Sequence, residues 1–168
     1  MPVVLEMCVA GELTEEPMHT AERAEIRARW REFWRSQGVV LVVVAAGGAL
    51  GALARYGLAQ GLPGRAGHIP WATFVTNVSG CFAIGVLMVA VTEIWTAHRL
   101  LRPFLGVGVL GGFTTFSTYI NEIRQLMRPE TIVAAACYLA GTLICALLAT
   151  LAAMWLTRAG YERARRAK

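Results

Sequence analysis

Gly111–Asn121, GGFTTFSTYIN, lies within a run that holds no charged residue between Arg102 and Glu122, yet it carries five hydroxyl side chains: Thr114, Thr115, Ser117, Thr118 and Tyr119. Hydroxyls donate and accept hydrogen bonds without holding a fixed charge. Upstream, Thr73 and Asn77 stand one helical turn apart in ATFVTNVSGCFAIG, and downstream Tyr138 and Thr142 do the same in CYLAGTLICA. An amide in a membrane interior is expensive, so Asn77 either joins helices or faces a polar path. Taken together, these residues make a track of uncharged groups along which an anion stripped of water would find donors.

The same segment opens on helix breakers. Gly106, Gly108, Gly111 and Gly112 fall within seven residues, and propensity disfavours a continuous helix there. In hydrocarbon an interrupted helix leaves N–H and C=O groups unpaired, which is tolerated only where they are buried in protein, face water or hold an ion. The stretch is therefore expected to contain an unwound turn near mid-membrane whose freed carbonyls can bind a cation. The competing arrangement is a packed helix whose hydroxyls bond back to their own carbonyls.

Four apolar stretches are long enough to position these groups across a hydrocarbon core about 30 Å thick: residues Gly38 to Leu58, Pro70 to Thr92, Pro103 to Asn121 and Thr131 to Thr157. The chain of 168 residues is 56% hydrophobic and 16% charged, with mean hydropathy +0.51. That composition is one of an all-α membrane protein and not of a soluble domain. Residues 1–37 form an N-terminal cytoplasmic or interfacial segment, residues 38–157 the transmembrane domain, and residues 158–168 a basic tail. With four spans both termini share a side, and that side holds 12 of the 16 Lys and Arg, which predicts both termini in the cytoplasm. The net charge of +5 flanks hydrophobic spans instead of lining one face of a folded domain, which excludes nucleic acid as the partner. In the N-terminal segment, Ile26, Trp30, Phe33 and Trp34 recur at helical spacing beside Arg27, Arg31 and Arg35, the pattern of a helix at a membrane surface.

Enzyme chemistry finds no footing. His19, His68 and His98 are scattered over different loops, and no HExxH or phosphate-binding glycine loop occurs. Cys8, Cys81, Cys137 and Cys145 show no CxxC spacing and read as small apolar residues. Arg55, Glu93 and Glu122 sit toward span ends, so no charge occupies a span centre. A proton-coupled exporter of organic cations generally needs a carboxylate there, which weighs against a small dual-topology multidrug exporter. A non-transporting membrane subunit is the third possibility.

The pieces GGALGALARYG from Gly47, PWATFVTNVSGCFAIG from Pro70, GVGVLGGFTTFSTYINE from Gly106 and YLAGT from Tyr138 resemble the fluoride channels called Fluc or CrcB, in that family's order and spacing. The resemblance implies a four-helix subunit with a break in the third helix that dimerises antiparallel in dual topology, in a bacterial inner membrane. It also implies two narrow fluoride pores per dimer and one structural sodium ion at the centre, held by the backbone carbonyls of Gly111 and Thr114. The family's pore residues map onto Asn77, Phe116 and Tyr119, with Ser117 and Thr118 alongside and Thr73, Tyr138 and Thr142 extending the track. Arg55 maps onto a vestibule arginine, and Glu122 onto a recurrent carboxylate after the third helix. Three residues depart from the family pattern: Tyr119 replaces a frequent phenylalanine, Ala146 a polar residue, and Ala72 a glycine. Homodimer and heterodimer with a paralogous subunit, including a non-conducting partner, both remain compatible with the strong charge bias.

If Asn77 lines an anion path, Asn77→Asp puts a fixed negative charge there and is expected to nearly abolish fluoride flux. Efflux from reconstituted vesicles checks this, and normal flux in the variant removes Asn77 from the path.

Overall fold

The chain is all-helical in the computed structural model, which describes residues 20–62, 68–94 and 99–167. Cys8, His19, His98, Lys168 and residues 1–19 of the N-terminal segment lie outside the described residues. The elements are α1 (Thr20–Gly61), α2 (Trp71–Val89) with a π-helical continuation π1 (Ala90–Ile94), a second π-helical stretch π2 (Pro103–Leu110), a single turn α3 (Gly111–Phe113), α4 (Phe116–Leu126) and α5 (Ile132–Arg166). Two compact units divide the chain, residues 1–39 and residues 40–168. In the first, the described part is helical from Thr20 onward, with Ile26, Trp30, Phe33 and Trp34 exposed.

Among the described residues three helices are long and apolar enough to cross a membrane: Arg23–Gly61, Trp71–Ile94 and Ile132–Arg166. The remaining apolar stretch, residues 103–121, does not wind as a fourth long helix. Pro103 begins it, where a missing N–H costs nothing, and the backbone then takes the wider π winding through Gly106 and Gly108 before one α turn. Thr114 (φ −74°, ψ 155°) and Thr115 (φ −146°, ψ 124°) are extended, and helical geometry resumes at Phe116.

In the second unit, close backbone approach sets the packing of this irregular stretch. Gly47 of α1 faces Gly108, and Gly48 faces Gly112: a Cβ on Gly108 would stand 3.0 Å from the Gly47 Cα, and one on Gly47 would stand 2.5 Å from the Phe104 carbonyl oxygen. A Cβ on Gly51 would stand 2.8 Å from the Phe113 nitrogen and closer still to the Val109 carbonyl oxygen. Small-residue stripes of this kind let helices associate where lipid provides no hydrophobic drive.

Helices α2 and α5 pack against each other extensively. At Gly85 a Cβ would lie 2.6 Å from the Thr150 carbonyl oxygen, and the Thr150 hydroxyl donates to the carbonyls of Cys81 (3.1 Å) and Ala146 (3.0 Å). At the other end of this pair, Tyr119, Ile123 and Leu126 of α4 are buried against Ala135 and Tyr138 of α5, with Ile69 and Phe74 packed on them. The Arg158 guanidinium donates from Nη2 (2.6 Å) and Nε (2.8 Å) to Glu93 Oε1, tying α5 to π1. Both partners are substantially exposed, so solvent screens the pair and it adds little to stability.

Gly51→Ala is expected to destabilise the protein by about 1–3 kcal/mol, because backbone atoms cannot yield as side chains do. Gly160→Ala, on α5 with open space around it, should be neutral or gain about 1 kcal/mol. Thermal unfolding of the two variants in detergent compares them, and equal midpoints contradict the packing account.

Candidate functional site

An extended residue inside a helical membrane domain must find partners for its own N–H and C=O. Thr115 finds both on one side chain. Its N–H donates to Asn77 Oδ1 (2.9 Å), and Asn77 Nδ2 donates to its carbonyl (3.0 Å). The carboxamide of α2 thus stands in for a neighbouring strand of backbone. One turn later on α2 stands Gly80, where any Cβ would collide with the Thr114 Cγ2. Asn77 reaches Thr115 because Gly80 lets α2 close on the Thr114 methyl.

Thr115 then starts α4. Its hydroxyl accepts from the Thr118 N–H (3.3 Å) and donates to the Thr118 hydroxyl (3.0 Å), which is an N-cap. Thr114 keeps its helical bond, N–H to the Leu110 carbonyl (3.0 Å), and its hydroxyl donates to that same oxygen (2.9 Å). The carbonyls of Gly111 and Thr114 are among those that lose their usual partner as a result. In a continuous helix the Gly111 carbonyl would accept from the Thr115 N–H, and the Thr114 carbonyl from the Thr118 N–H. The first of these N–H groups goes to Asn77 and the second to the Thr115 hydroxyl. Between these two carbonyls, that of Gly112 accepts from Arg55 Nε (3.2 Å).

Two cavities meet at Thr115. One, of about 430 Å³, is bordered by Asn77, Gly111, Thr114, Phe116, Tyr119 and Thr142 as well as Thr115. The other, of about 370 Å³, is bordered by Arg55, Tyr56, Thr73, Thr76 and Thr118 together with Thr115. In the first, Thr142 is 4% exposed and its hydroxyl has no hydrogen-bond partner among the described residues. A buried hydroxyl left unpaired costs about 1–3 kcal/mol, so this group would gain from an acceptor brought within its reach. Ala146 also borders it and brings no polar atom.

The aromatic residues form a short series. Phe116 is 75% exposed, its ring 6.0 Å from that of Tyr119, and Tyr119 meets Tyr138 edge-on at 5.3 Å. The Tyr119 hydroxyl donates to the Leu139 carbonyl (2.6 Å). The extra oxygen relative to phenylalanine is therefore spent on α5, and the ring remains what borders the cavity.

Of the residues singled out in the sequence, Asn77, Gly111, Thr114, Phe116, Tyr119 and Thr142 gather at the first cavity, and Arg55, Thr73 and Thr118 at the second. Tyr138 borders neither of these cavities, and Ser117 is exposed on α4 with its hydroxyl 3.4 Å from that of Thr115. Glu122 is the residue the sequence undervalued. It receives the Thr73 hydroxyl on Oε1 (2.7 Å) and the Tyr138 hydroxyl on Oε2 (2.8 Å), so one carboxylate joins α2, α4 and α5. Two hydroxyls assigned to the polar track thus point at a side chain. The available signal was only a carboxylate following a hydroxyl-rich helix, with no indication of which hydroxyls would turn to it. In the sequence Thr115 is likewise one hydroxyl among five, whereas in the structure its backbone is the centre of the arrangement.

The chain matches the family model described as CrcB-like protein, Camphor Resistance (CrcB), over residues 42–154. It is 59% identical to Fluoride-specific ion channel FluC 2 of Nocardia farcinica over 124 residues, 71% of this chain and 89% of that relative. FluC 2 of Streptomyces avermitilis is 53% identical over 119 residues, covering 69% and 73% of the two chains. FluC 1 of Streptomyces coelicolor is 50% identical over 128 residues, covering 76% and 83%.

Asn77→Leu keeps most of the side-chain volume but leaves the Thr115 N–H and C=O without partners, each at a cost of about 1–3 kcal/mol. Tyr119→Phe removes one bond to a carbonyl within α5 and should cost about 0.5–1.5 kcal/mol. Thermal midpoints in detergent are expected to fall further for Asn77→Leu than for Tyr119→Phe. An Asn77→Leu protein as stable as the parent contradicts the assigned role.

Proposed function

The chain belongs to the CrcB family and is a multi-pass membrane protein, and from that premise we propose that it is a fluoride-selective channel that lets fluoride leave the cytoplasm and so lowers its toxicity. The observation that carries this reading is the extended Thr114–Thr115 step between two cavities, with an unpartnered Thr142 hydroxyl on one side and Arg55 on the other. Four spans, the third interrupted at this step, and an antiparallel dimer belong to the same proposal.

Fluoride is small and strongly hydrated, so it crosses only where donors replace its water. The Thr142 hydroxyl is one such donor, and Asn77 Nδ2 carries a second N–H beyond the one given to Thr115. The edges of the Phe116 and Tyr119 rings are electropositive and contact an anion without trapping it as an ammonium would. Serial weak sites of this kind permit conduction. Arg55 raises the local anion concentration in the second cavity, which Thr73 and Thr118 also border, while Ser117 and Tyr138 stand outside both cavities. Fluoride enters acidified cells as neutral HF and ionises inside, so a passive anion pathway under a negative-inside potential is sufficient to lower its level.

The carbonyls of Gly111 and Thr114 fit a structural sodium ion by chemistry. Both are hard oxygen ligands whose helical N–H partners are engaged elsewhere, and a Cβ on Gly111 would meet open space. One chain offers two such oxygens, so a second subunit is needed to complete a set of four. Bound there, the ion would neutralise carbonyl dipoles that face one another across the dimer. That second subunit is another copy or a paralogue. Ala146, which leaves a gap in the polar lining, favours a variant of this reading in which the chain is a non-conducting partner of a paralogous subunit.

Vesicles loaded with fluoride, chloride or an organic cation separate these readings. Efflux of fluoride far faster than chloride, without coupled proton movement, is the expected result. Chloride efflux at a comparable rate, or proton movement driven by an organic cation, overturns the proposal. Silence alone with fluoride efflux on co-reconstitution of a paralogue selects the partner-subunit reading.

A further inference from the structure

The described part of the first unit has no counterpart in the family match, which begins at residue 42. It is helical from Thr20 onward. At about 100° per residue, Ile26, Trp30, Phe33 and Trp34 fall within an arc of roughly 100°. Arg27 and Arg31 border that arc on one flank and Arg29 on the other, Arg23 falls within it, and Arg35 lies with Glu25 and Glu32 toward the opposite pole. The rings pack edge-on along the helix, Trp30 on Phe33 at 6.0 Å and Phe33 on Trp34 at 6.1 Å. Even so, Trp30 remains 57% and Trp34 56% exposed. Among the described residues the ion pairs are Arg158–Glu93 and Arg166–Glu162, so these guanidiniums have no carboxylate partner there.

We propose that the face formed by Ile26, Trp30, Phe33 and Trp34, with its flanking Arg27, Arg29 and Arg31, docks on the anionic lipid headgroups of the membrane in which the chain resides. Tryptophan and arginine together favour the headgroup level, where a ring buries its apolar body and a guanidinium meets a phosphate bidentately. The order of side chains around the helix fits an anionic surface and not merely an apolar one. Cations rim the buried arc, and both carboxylates with described side chains are held away from the lipid. The occupant is also close at hand, because the apolar stretch that begins at Gly38 follows directly in sequence. A soluble acidic partner would have no use for two exposed tryptophans, and a second copy would bring like-charged arginine rims together.

The inference does not rest on the fluoride reading. The test uses the full chain carrying W71F, W95F and W155F, so that Trp30 and Trp34 are the only indole reporters, reconstituted in vesicles with and without phosphatidylglycerol. In anionic vesicles, acrylamide quenching is expected to fall several-fold relative to phosphatidylcholine alone, and lipid-borne bromine to quench instead. Each arginine near an anionic surface strengthens association by about fivefold, so R27Q/R29Q/R31Q should lower the ratio of docked to free helix by about a hundredfold and restore acrylamide access. Salt near 1 M, where the Debye length is about 3 Å, should act in the same direction. Acrylamide quenching that is the same in both lipids overturns the proposal. So does shielding that disappears when the protein-to-lipid ratio is lowered, since that marks a second copy as the occupant. Fluoride efflux from the same vesicles reports separately on the channel proposal.

Discussion

Backbone polar groups that leave a helix within a membrane must be satisfied by protein, and the rest of this architecture follows from that constraint at Thr115. A single carboxamide meets it. Asn77 accepts from the Thr115 N–H and donates to its carbonyl, as an adjoining strand would. The pair holds because α2 stands close: Gly80 accommodates the Thr114 methyl, and Gly85 seats α2 against the backbone of α5. The spacing Asn-x-x-Gly is thereby explained by geometry, since one residue reaches the extended step and the other, a turn away, makes room for it.

The same step organises the electrostatics without a buried formal charge at its centre. Turning the Thr115 N–H to Asn77 and the Thr118 N–H to the Thr115 hydroxyl deprives the Gly111 and Thr114 carbonyls of their usual donors. The Gly112 carbonyl, between them, accepts from Arg55. The freed carbonyl oxygens of Gly111 and Thr114 suit a cation, while the hydroxyl, amide and ring-edge donors of residues bordering the same cavity suit an anion. On the proposed reading these are two consequences of one interruption. Glu122 receives a hydroxyl on each oxygen.

Hydropathy alone located the three long apolar helices, because twenty residues of lipid-compatible side chains leave few alternatives. The remaining stretch was harder. Its glycine content argued against a uniform helix, but nothing local indicated π winding over Pro103–Leu110 or identified Thr114 and Thr115 as the extended pair. Those outcomes depend on α1 and α2 standing within backbone contact, which is set by residues some 35 to 60 positions away in the chain. Asn77 was legible as an expensive amide that joins helices or lines a path. Its engagement of both polar groups of a single residue was not, because that requires knowing which residue is extended. Tyr119 and Glu122 illustrate the same limit, since their partners Leu139, Thr73 and Tyr138 sit on other helices.

Solid-state NMR on the reconstituted chain, with labelled asparagine and threonine, tests the central claim most directly. Strand-like Cα and Cβ shifts at Thr114 and Thr115, together with dipolar coupling between Asn77 Nδ2 and the Thr115 carbonyl carbon, are the predicted result. Helical shifts running unbroken from Leu110 to Tyr119, with no coupling to Asn77, would contradict it.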